Sequence, residues 1–328
     1  MEYGQVGGID KPVSRIVFGT DRLRGRWVPW LPNQSAEQQA FSLLDRSFEL
    51  GCNTFDTARV YGDAERTLGA WIRARRNRDD VVVISKGCHP SLVSGRPRLS
   101  PSAVSRDLHA SLKALGTDFI DVYLLHYDNP AIPVGPIMER LTRHVDEGKI
   151  GTIGASNWTH DRIASANLFA DSNGLTPFTT SSVQFSLAEW TKPPWRGAVT
   201  VAGESQRSAR EWYLRQQISV FAYSSLARGF FSEHYDPENP DRNRASRWCA
   251  AHFGSEANIE RLTRASAFAS KHNLTVAQVA LAYVLCHDLR PFAVVGCRTV
   301  EKFTQNVGAL AVKLDDATLH WLSTGRTG

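Results

Sequence analysis

The sequence predicts one closed (β/α)8 barrel, of the TIM-barrel type, over residues 1–328. Short apolar, β-branched runs recur along the chain, and each is followed by a longer segment with helical periodicity. That alternation is typical of parallel strands joined by crossover helices. No linker, low-complexity tract or short-period repeat divides the chain. Eight such units favour a closed barrel over an open doubly wound sheet. The predicted strands are 16–18, 53–56, 81–85, 120–125, 150–155, 182–185, 218–222 and 292–295.

The predicted third helix carries the clearest start and stop signals. Ser100 followed by Pro101 is typical of an N-cap with proline in the first helical turn. Gly116 is the expected terminator. The apolar positions between them recur at spacings of four, four and three, so one face of this helix should pack against the sheet. These positions are Val104, Leu108, Leu112 and Leu115.

One long segment departs from the alternation of strands and helices. Residues 227–255 are rich in Pro, Asn, Asp, Arg and aromatic residues. This composition predicts a segment too irregular for a helix and too long for a simple connector. We expect it to form a functional lid or a surface excursion.

Composition favours a globular enzyme over a disordered or fibrous chain, since 42% of the residues are hydrophobic and 22% are charged. The formal net charge is +5, but basic and acidic residues are interspersed rather than gathered in blocks. A nucleic-acid partner is therefore not expected.

Cysteine usage and the absence of targeting signals point to the cytoplasm. The five cysteines are widely spaced and match no zinc or disulfide pattern. Met1 is not followed by a basic and then apolar leader, and no apolar stretch reaches the roughly 18 residues of a membrane helix. We expect free thiols, a reducing compartment and no membrane partner.

Four polar residues stand at or just after predicted strand ends, where barrel enzymes carry their active sites. Asp56 closes the second strand, Tyr61 follows in the next loop, Lys86 closes the third strand and His126 closes the fourth. Lysine and aspartate on adjacent strands can neutralise each other. An ammonium near a tyrosine favours the phenolate, so we expect the pKa of Tyr61 to be lowered from about 10 and Tyr61 to act as a general acid.

Each of these residues also has a structural interpretation. An aspartate or tyrosine after a strand is often a turn residue, and a lysine-aspartate pair is often structural. A lone histidine at a strand end is more often a hydrogen-bonded core residue than a catalyst.

The run Gly-Cys-Asn-Thr-Phe-Asp-Thr-Ala at 51–58, with Tyr61 and Gly62, resembles the signature of the aldo-keto reductases. Lys86 and His126 fall at matching strand ends, and the resemblance covers nearly the whole chain. It implies transfer of a hydride from NADPH to the carbonyl carbon of an aldehyde or ketone, reversibly an alcohol. It further implies that Tyr61 protonates the carbonyl oxygen, Lys86 perturbs the pKa of Tyr61, Asp56 holds Lys86, and His126 orients or polarises the carbonyl.

Carbonyl reduction needs a hydride donor that no side chain supplies, so a nicotinamide cofactor is expected. No Gly-x-Gly-x-x-Gly motif follows the first strand, which argues against a conventional dinucleotide domain. The resemblance implies NADPH, with NADH possible, extended across the barrel loops. It assigns Ser156, Asn157 and Gln184 to the carboxamide, Tyr223 to stacking on the nicotinamide, and Ser224 and Leu226 to the pyrophosphate region. Further implied contacts are Gly19, Thr20, Asp56 and Gly229.

The adenosine-phosphate end is predicted near the C-terminus, where the eighth strand runs into a helix N-terminus that favours an anion. The family often has a lysine and a serine where this chain has Gly296 and Cys297. Arg298 and Lys302 are therefore expected to carry most of the phosphate recognition. Gln305 and Asn306 complete the set that the resemblance implies.

Two other functions compete with this interpretation. Chains of this family also serve as regulatory subunits that bind cofactor with little turnover, and a fold does not fix an activity. A metal-dependent barrel hydrolase would need several His and Asp ligands at strand ends, and only Asp56 and His126 qualify, so no metal is expected. For a small carbonyl or alcohol substrate, Trp27, Trp30 and Tyr127 are candidate pocket residues, with packing or surface exposure as the alternative. No sequence feature indicates an oligomeric state.

Overall fold

The computed structural model describes residues 1–23, 27–28, 31–32, 34–232 and 235–326, with side chains for 1–23, 36–232 and 235–326. Eight parallel strands close into a barrel in the order β10, β11, β12, β3, β6, β7, β8, β9. This confirms the predicted fold class. The strands are β1 (Tyr3–Gly4), β2 (Val13–Ser14), β3 (Ile16–Gly19), β4 (Trp27–Val28), β5 (Leu31–Pro32), β6 (Thr54–Asp56), β7 (Val82–Gly87), β8 (Ile120–Leu125), β9 (Ile150–Ser156), β10 (Thr180–Ser182), β11 (Ser219–Ala222) and β12 (Phe292–Val295).

Helices alternate with the barrel strands and cover the outside of the barrel. The third begins at the predicted cap, where the Ser100 side chain accepts from the backbone N–H of Ala103, and it ends at Gly116 in the left-handed region. The helices are α1 (Gln34–Glu49), α2 (Ala64–Arg75), α3 (Pro101–Leu115), α4 (Gly135–Asp146), α5 (His160–Ser172), α6 (Arg207–Arg215), α7 (Arg244–Phe253), α8 (Glu256–His272), α9 (Val276–Cys286), α10 (Val300–Val307) and α11 (Asp316–Thr324).

Two apolar layers hold the barrel together. Val122 and Leu124 of β8 point into the barrel interior, whereas Tyr123 and Leu125 of the same strand pack with the helices. This is the period of two that a strand imposes on its side chains. The outer layer includes the predicted apolar face of α3, all of which is buried: Val104, Leu108, Leu112 and Leu115.

The sixth barrel strand lies earlier in the chain than predicted. The sequence predicts residues 182–185, but β10 spans Thr180–Ser182. Gln184 leaves the barrel ladder and exchanges backbone hydrogen bonds with a later loop, its N–H donating to the Val199 carbonyl and its carbonyl accepting from the Val201 N–H. An apolar run alone does not reveal that the strand switches partner.

The segment 227–255 is more ordered than predicted. A 3-10 turn spans Ala227–Gly229, and residues 244–253 form α7, so the expectation that this segment is too irregular for a helix is wrong for its second half. The cap explains why the helix begins there, because the Asn243 side chain accepts from the Ser246 N–H.

No helix within the described part of the chain combines the length and the apolar character needed to cross a membrane.

Candidate active site

A cavity of about 910 Å³ opens at the carboxyl ends of the barrel strands. The barrel register brings the strand ends together there, since Gly19 of β3 pairs with Asp56 of β6, and Lys86 of β7 pairs with Leu124 of β8. The cavity runs from these strand ends to the first turn of α10. Most of the predicted site residues line it: Gly19, Asp56, Tyr61, Lys86, His126, Tyr127, Ser156, Asn157, Tyr223, Ser224, Leu226, Gly229, Gly296, Cys297, Arg298, Lys302, Gln305 and Asn306.

Asp56 and Lys86 form a buried ion pair at the base of the cavity. The Lys86 ammonium donates to Asp56 Oδ2 at 2.5 Å and to the Thr57 carbonyl at 3.0 Å. Burial raises the pKa of the Asp56 carboxyl, and the neighbouring Lys86 ammonium opposes that shift. The pair compensates two charges that would each be costly to bury alone.

Tyr61 lies beside this pair, half-buried in the cavity wall. The Lys86 ammonium is 5.3 Å from the centre of the Tyr61 ring. The expectation that Lys86 lowers the pKa of Tyr61 is wrong in this structure, because burial and then the Asp56 carboxylate raise that pKa well above 10. Tyr61 therefore keeps its proton throughout the neutral range.

His126 follows β8 and packs edge-to-face against Tyr61, with 5.9 Å between the ring centres. Burial, and next the Lys86 ammonium, lower the pKa of His126 well below 6.5, so the imidazole is neutral. Its Nδ1 is enclosed and has no hydrogen-bond partner among the described residues. Nε2 is therefore the ring nitrogen available to the cavity.

Asn157 and Tyr223 are joined directly in the cavity wall. The Tyr223 hydroxyl donates to Asn157 Oδ1 at 2.7 Å, and the Asn157 amide donates to the Ser156 hydroxyl and the His126 carbonyl. Asn157 and Ser224 have φ values of 57° and 53°, a left-handed conformation that clusters at functional sites. The Tyr223 hydroxyl also lies within 3.3 Å of the Val199 carbonyl, and the Trp195 ring stacks on the Tyr223 ring with 6.2 Å between the ring centres.

Two predicted cofactor residues do not line the cavity. Gln184 is buried, and its amide is bonded to the hydroxyls of Ser186 and Thr200. Thr20 is buried and donates its N–H and its hydroxyl to the Asp56 carbonyl, at 2.8 Å and 2.9 Å. The Thr20 side chain thus supports the cavity-lining Asp56 from behind, whereas the Gln184 side chain bonds residues that do not line the cavity.

The far end of the cavity is basic. Thr299 caps α10, its side chain accepting from the Lys302 N–H. Arg298 and Lys302 line the cavity here, and within the described part of the chain neither forms an ion pair with a carboxylate. Burial raises the pKa of the Cys297 thiol to about 12, so it is not a reactive thiolate.

Several cavity residues are absent from the sequence prediction. Arg22 and Arg228 add two more cations to the wall, and neither has a carboxylate partner among residues that the structure describes. Arg228 has a φ of 53° and lies between two indoles, 5.9 Å from the Trp195 ring centre and 4.9 Å from that of Trp248. Its place in an irregular segment next to Gly229 was the available signal. Further lining residues come from α8 and the start of α9, for which the sequence carries no signal: Leu262, Thr263, Ser266, Thr275, Val276 and Ala277.

Of the three residues predicted to contact the substrate, one lines the cavity and the side chains of the other two are not described. Tyr127 lines the cavity and stacks on His126 at 5.5 Å. Trp27 lies in β4, which pairs antiparallel with β5, but its side chain falls outside the described residues. Trp30 also lies outside the described residues.

Comparison with known proteins identifies the family. The model of the Aldo/keto reductase family matches residues 15–322. An aryl-alcohol dehydrogenase of Pestalotiopsis microspora is 27% identical over 310 residues, covering 92% of this chain and 76% of the relative. The aldo-keto reductase yakc of Schizosaccharomyces pombe, whose name gives NADP(+), is 29% identical over 317 residues, covering 94% and 86%. A crystal structure of a thermostable aldo-keto reductase with the inhibitor epalrestat has the same fold, with a TM-score of 0.72, 23% identity and coverage of 98% and 99%. The chain belongs to the aldo/keto reductase family.

Proposed function

We propose that the protein is an NADPH-dependent reductase of aldehydes or ketones, with Tyr61 as the proton donor and the alcohol as its product. One observation carries the proposal. Tyr61, Lys86 and His126 line one end of a cavity whose other end is lined by Arg298 and Lys302. A proton donor and a phosphate-binding region thus share a single cavity.

The residues of the cavity fit a nicotinamide dinucleotide. Its phosphates are anionic, and Arg22, Arg228, Arg298 and Lys302 line the cavity without carboxylate partners among the described residues. The aromatic face of Tyr223 suits the nicotinamide ring. When bound, the cofactor supplies the hydride that forms the new carbon–hydrogen bond.

Tyr61 completes the reduction by transferring its hydroxyl proton to the carbonyl oxygen. The oxygen gains negative charge as the hydride adds to the carbon, and the proton neutralises it, leaving a phenolate that regains a proton from solvent. The raised pKa of Tyr61 keeps the donor protonated before each turnover. The Lys86 ammonium, 5.3 Å from the ring centre, stabilises the phenolate that follows.

His126 orients the carbonyl through Nε2. A neutral imidazole carries one proton, and the tautomer with that proton on Nε2 leaves only the lone pair of the enclosed Nδ1 unpartnered. An Nε2–H group can then donate to the same carbonyl oxygen that Tyr61 protonates. His126 therefore acts as a hydrogen-bond donor in the proposal, not as the acid.

The names of two relatives support the finer parts of the proposal. NADP(+) appears in the name of the Schizosaccharomyces pombe relative, and the Pestalotiopsis microspora relative is named for aryl alcohols. Aromatic alcohols and aldehydes are accordingly the first substrates to test. We further propose a cytoplasmic location, which the five free cysteines support.

The decisive experiment compares wild type with Tyr61→Phe in an initial-rate screen of aldehydes, ketones and sugars with NADPH and NADH. We expect Tyr61→Phe to lose about 10²- to 10⁴-fold in kcat, the usual contribution of a general acid, while its cofactor affinity stays within about twofold. Tyr213→Phe is the matched control, because it removes a buried hydroxyl that bonds Ser181 away from the cavity. Wild-type turnover in Tyr61→Phe contradicts the proposal. Tight NADPH binding without turnover in wild type favours a regulatory cofactor-binding role instead.

A further inference from the structure

The orientation of the His126 ring depends on ring contacts rather than on a hydrogen bond to its inner nitrogen. Nδ1 is buried without a partner among the described residues, although a histidine that must aim its other nitrogen is usually held there. Three rings surround the imidazole instead. Their centres lie 5.9 Å away for Tyr61, 5.5 Å for Tyr127 and 4.9 Å for His89.

His89 is the closest of the three rings and does not itself line the cavity. It meets His126 edge-to-face at an angle of 81° and Tyr127 at 89°, with 5.2 Å between the latter centres. One ring therefore contacts both His126 and the neighbour that stacks on it. Edge-to-face contacts of this kind fix the relative angle of two rings.

The backbone around His89 is anchored by a buried carboxylate on α3. Asp107 accepts from the Cys88 N–H at 2.8 Å and pairs with Arg98 at 2.8 Å. Arg98 also donates to the His89 carbonyl at 3.2 Å, and Cys88 adopts a left-handed φ of 61°. These contacts fix the loop that follows β7, which lets it hold a ring against His126.

We propose that His89 is a positioning residue of the active site, whose ring holds the His126 imidazole at the angle that directs Nε2 to the substrate carbonyl. The inference deepens the function proposed above and depends on it for its catalytic consequence. The ring geometry itself is independent of that function.

The surroundings of His89 favour its uncharged form. His89 Nδ1 contacts the Pro90 carbonyl at 2.8 Å, and the ring faces His126 and Tyr127, with the Arg98 guanidinium nearby. Burial, opposed by the Pro90 contact, lowers the pKa of His89 below 6.5, so the ring is neutral at pH 7 and gains charge only in acid. Protonation would add a charge to a half-buried ring that already lies near the Arg98 guanidinium, so the charged ring is disfavoured in this position.

The kinetic test compares His89→Ala, His89→Phe and wild type. His89→Ala removes the ring, and we expect kcat to fall on the order of tenfold while KM and cofactor affinity stay within about twofold, since small losses of alignment slow the chemical step. His89→Phe restores the ring without a titratable group. We expect its kcat to return to within about threefold of wild type at pH 7.5 and to fall less in acid than the kcat of wild type, because the ring of Phe cannot gain a proton.

A second readout does not require turnover. NMR of the histidine ring signals uses His126→Asn for assignment and His320→Ala, at an exposed position, as a control. The His126 ring signal should be broadened or shifted in His89→Ala and restored in His89→Phe. Unchanged kcat and unchanged His126 signals in His89→Ala overturn the inference. A Phe variant as slow as the Ala variant, with its His126 signal equally disturbed, also overturns it. If wild type shows no turnover but its His126 signal still depends on His89, the proposed reductase function is contradicted and the positioning role of His89 is not.

Discussion

The Lys86 ammonium donates to Asp56 Oδ2 at 2.5 Å, and the two side chains are only 4% and 6% exposed. Removing one partner leaves the other as an uncompensated charge in the barrel. We therefore expect Asp56→Asn and Lys86→Met each to lower the free energy of unfolding by about 3 to 5 kcal/mol. The double variant should recover much of that loss, because no charge then remains buried.

Urea unfolding of all four proteins without cofactor measures this coupling as a double-mutant cycle. The matched surface pair is Arg46 with Glu49, which is largely exposed at 47% and 61% and should contribute less than about 1 kcal/mol. Additive losses at Asp56 and Lys86 would mean that the two charges do not stabilise each other.

The raised pKa of Tyr61 predicts opposite pH dependences for the two directions of the reaction. A pKa above 10 means that the proton is retained across neutral pH, so kcat for carbonyl reduction should be flat from about pH 6.5 to 9. Alcohol oxidation needs the phenolate as a base, so its kcat should rise with pH over the same range. Steady-state rates in both directions, at saturating cofactor, provide the measurement. If the reduction rate instead falls with a midpoint near pH 7 to 8, the pKa of Tyr61 is lowered, as the sequence predicts.

The stack of Trp248 on the Arg228 guanidinium predicts an effect on cofactor binding from a residue outside the cavity wall. Trp248 lies 4.9 Å from Arg228, and a cation–π contact of this kind contributes about 1 kcal/mol. Trp248→Ala releases Arg228, so we expect NADPH to bind about fivefold more weakly. Trp248→Phe keeps an aromatic face and should bind nearly as wild type. If Trp248→Ala does not weaken NADPH binding further in an Arg228→Gln background, the stack acts through Arg228. Additive losses of affinity would instead show that the two residues act independently.

The barrel could be predicted because each strand carries its own local signal. Apolar runs such as 120–125 coincide with the observed strand, and a strand end in a closed parallel barrel fixes where Asp56, Lys86 and His126 point. The strand at 180–182 could not be bounded in the same way. Its neighbour Gln184 pairs with the 199–201 loop, and that pairing is tertiary.

The sequence predicts which residues line the site better than it predicts their pKa values. The sequence indicates that an ammonium lies near Tyr61, but it does not indicate that Asp56 already neutralises that ammonium or that burial governs the phenol. Contacts made by Thr263 of α8 and Ala277 of α9 depend on how the chain after α7 returns to the barrel mouth. The anchoring of His89 by Asp107 and Arg98 likewise exists only once α3 has packed.

The last prediction concerns the choice between NADPH and NADH. Arg298 and Lys302 line the cavity at the first turn of α10, where Thr299 caps the helix and free backbone amides favour an anion. A guanidinium can bind phosphate oxygens through paired donors, whereas the 2′-hydroxyl of NADH leaves both cations without a charged partner. Each charge-assisted contact contributes about 1.5 to 3 kcal/mol. We therefore expect NADPH to bind one to two decades more tightly than NADH, roughly 1.4 kcal/mol per decade.

Titration of both cofactors at fixed ionic strength into wild type, Arg298→Ala and Arg298→Lys measures this preference. Arg298→Ala should weaken NADPH at least tenfold and leave NADH within about twofold, since only NADPH carries the extra phosphate. Arg298→Lys keeps the charge but loses the planar fork, so it should recover part of the loss. Exposed Arg96, outside the cavity, provides the control for a general loss of positive charge. Equal affinities of wild type for the two cofactors, or a variant that weakens both alike, would show that Arg298 does not recognise the 2′-phosphate.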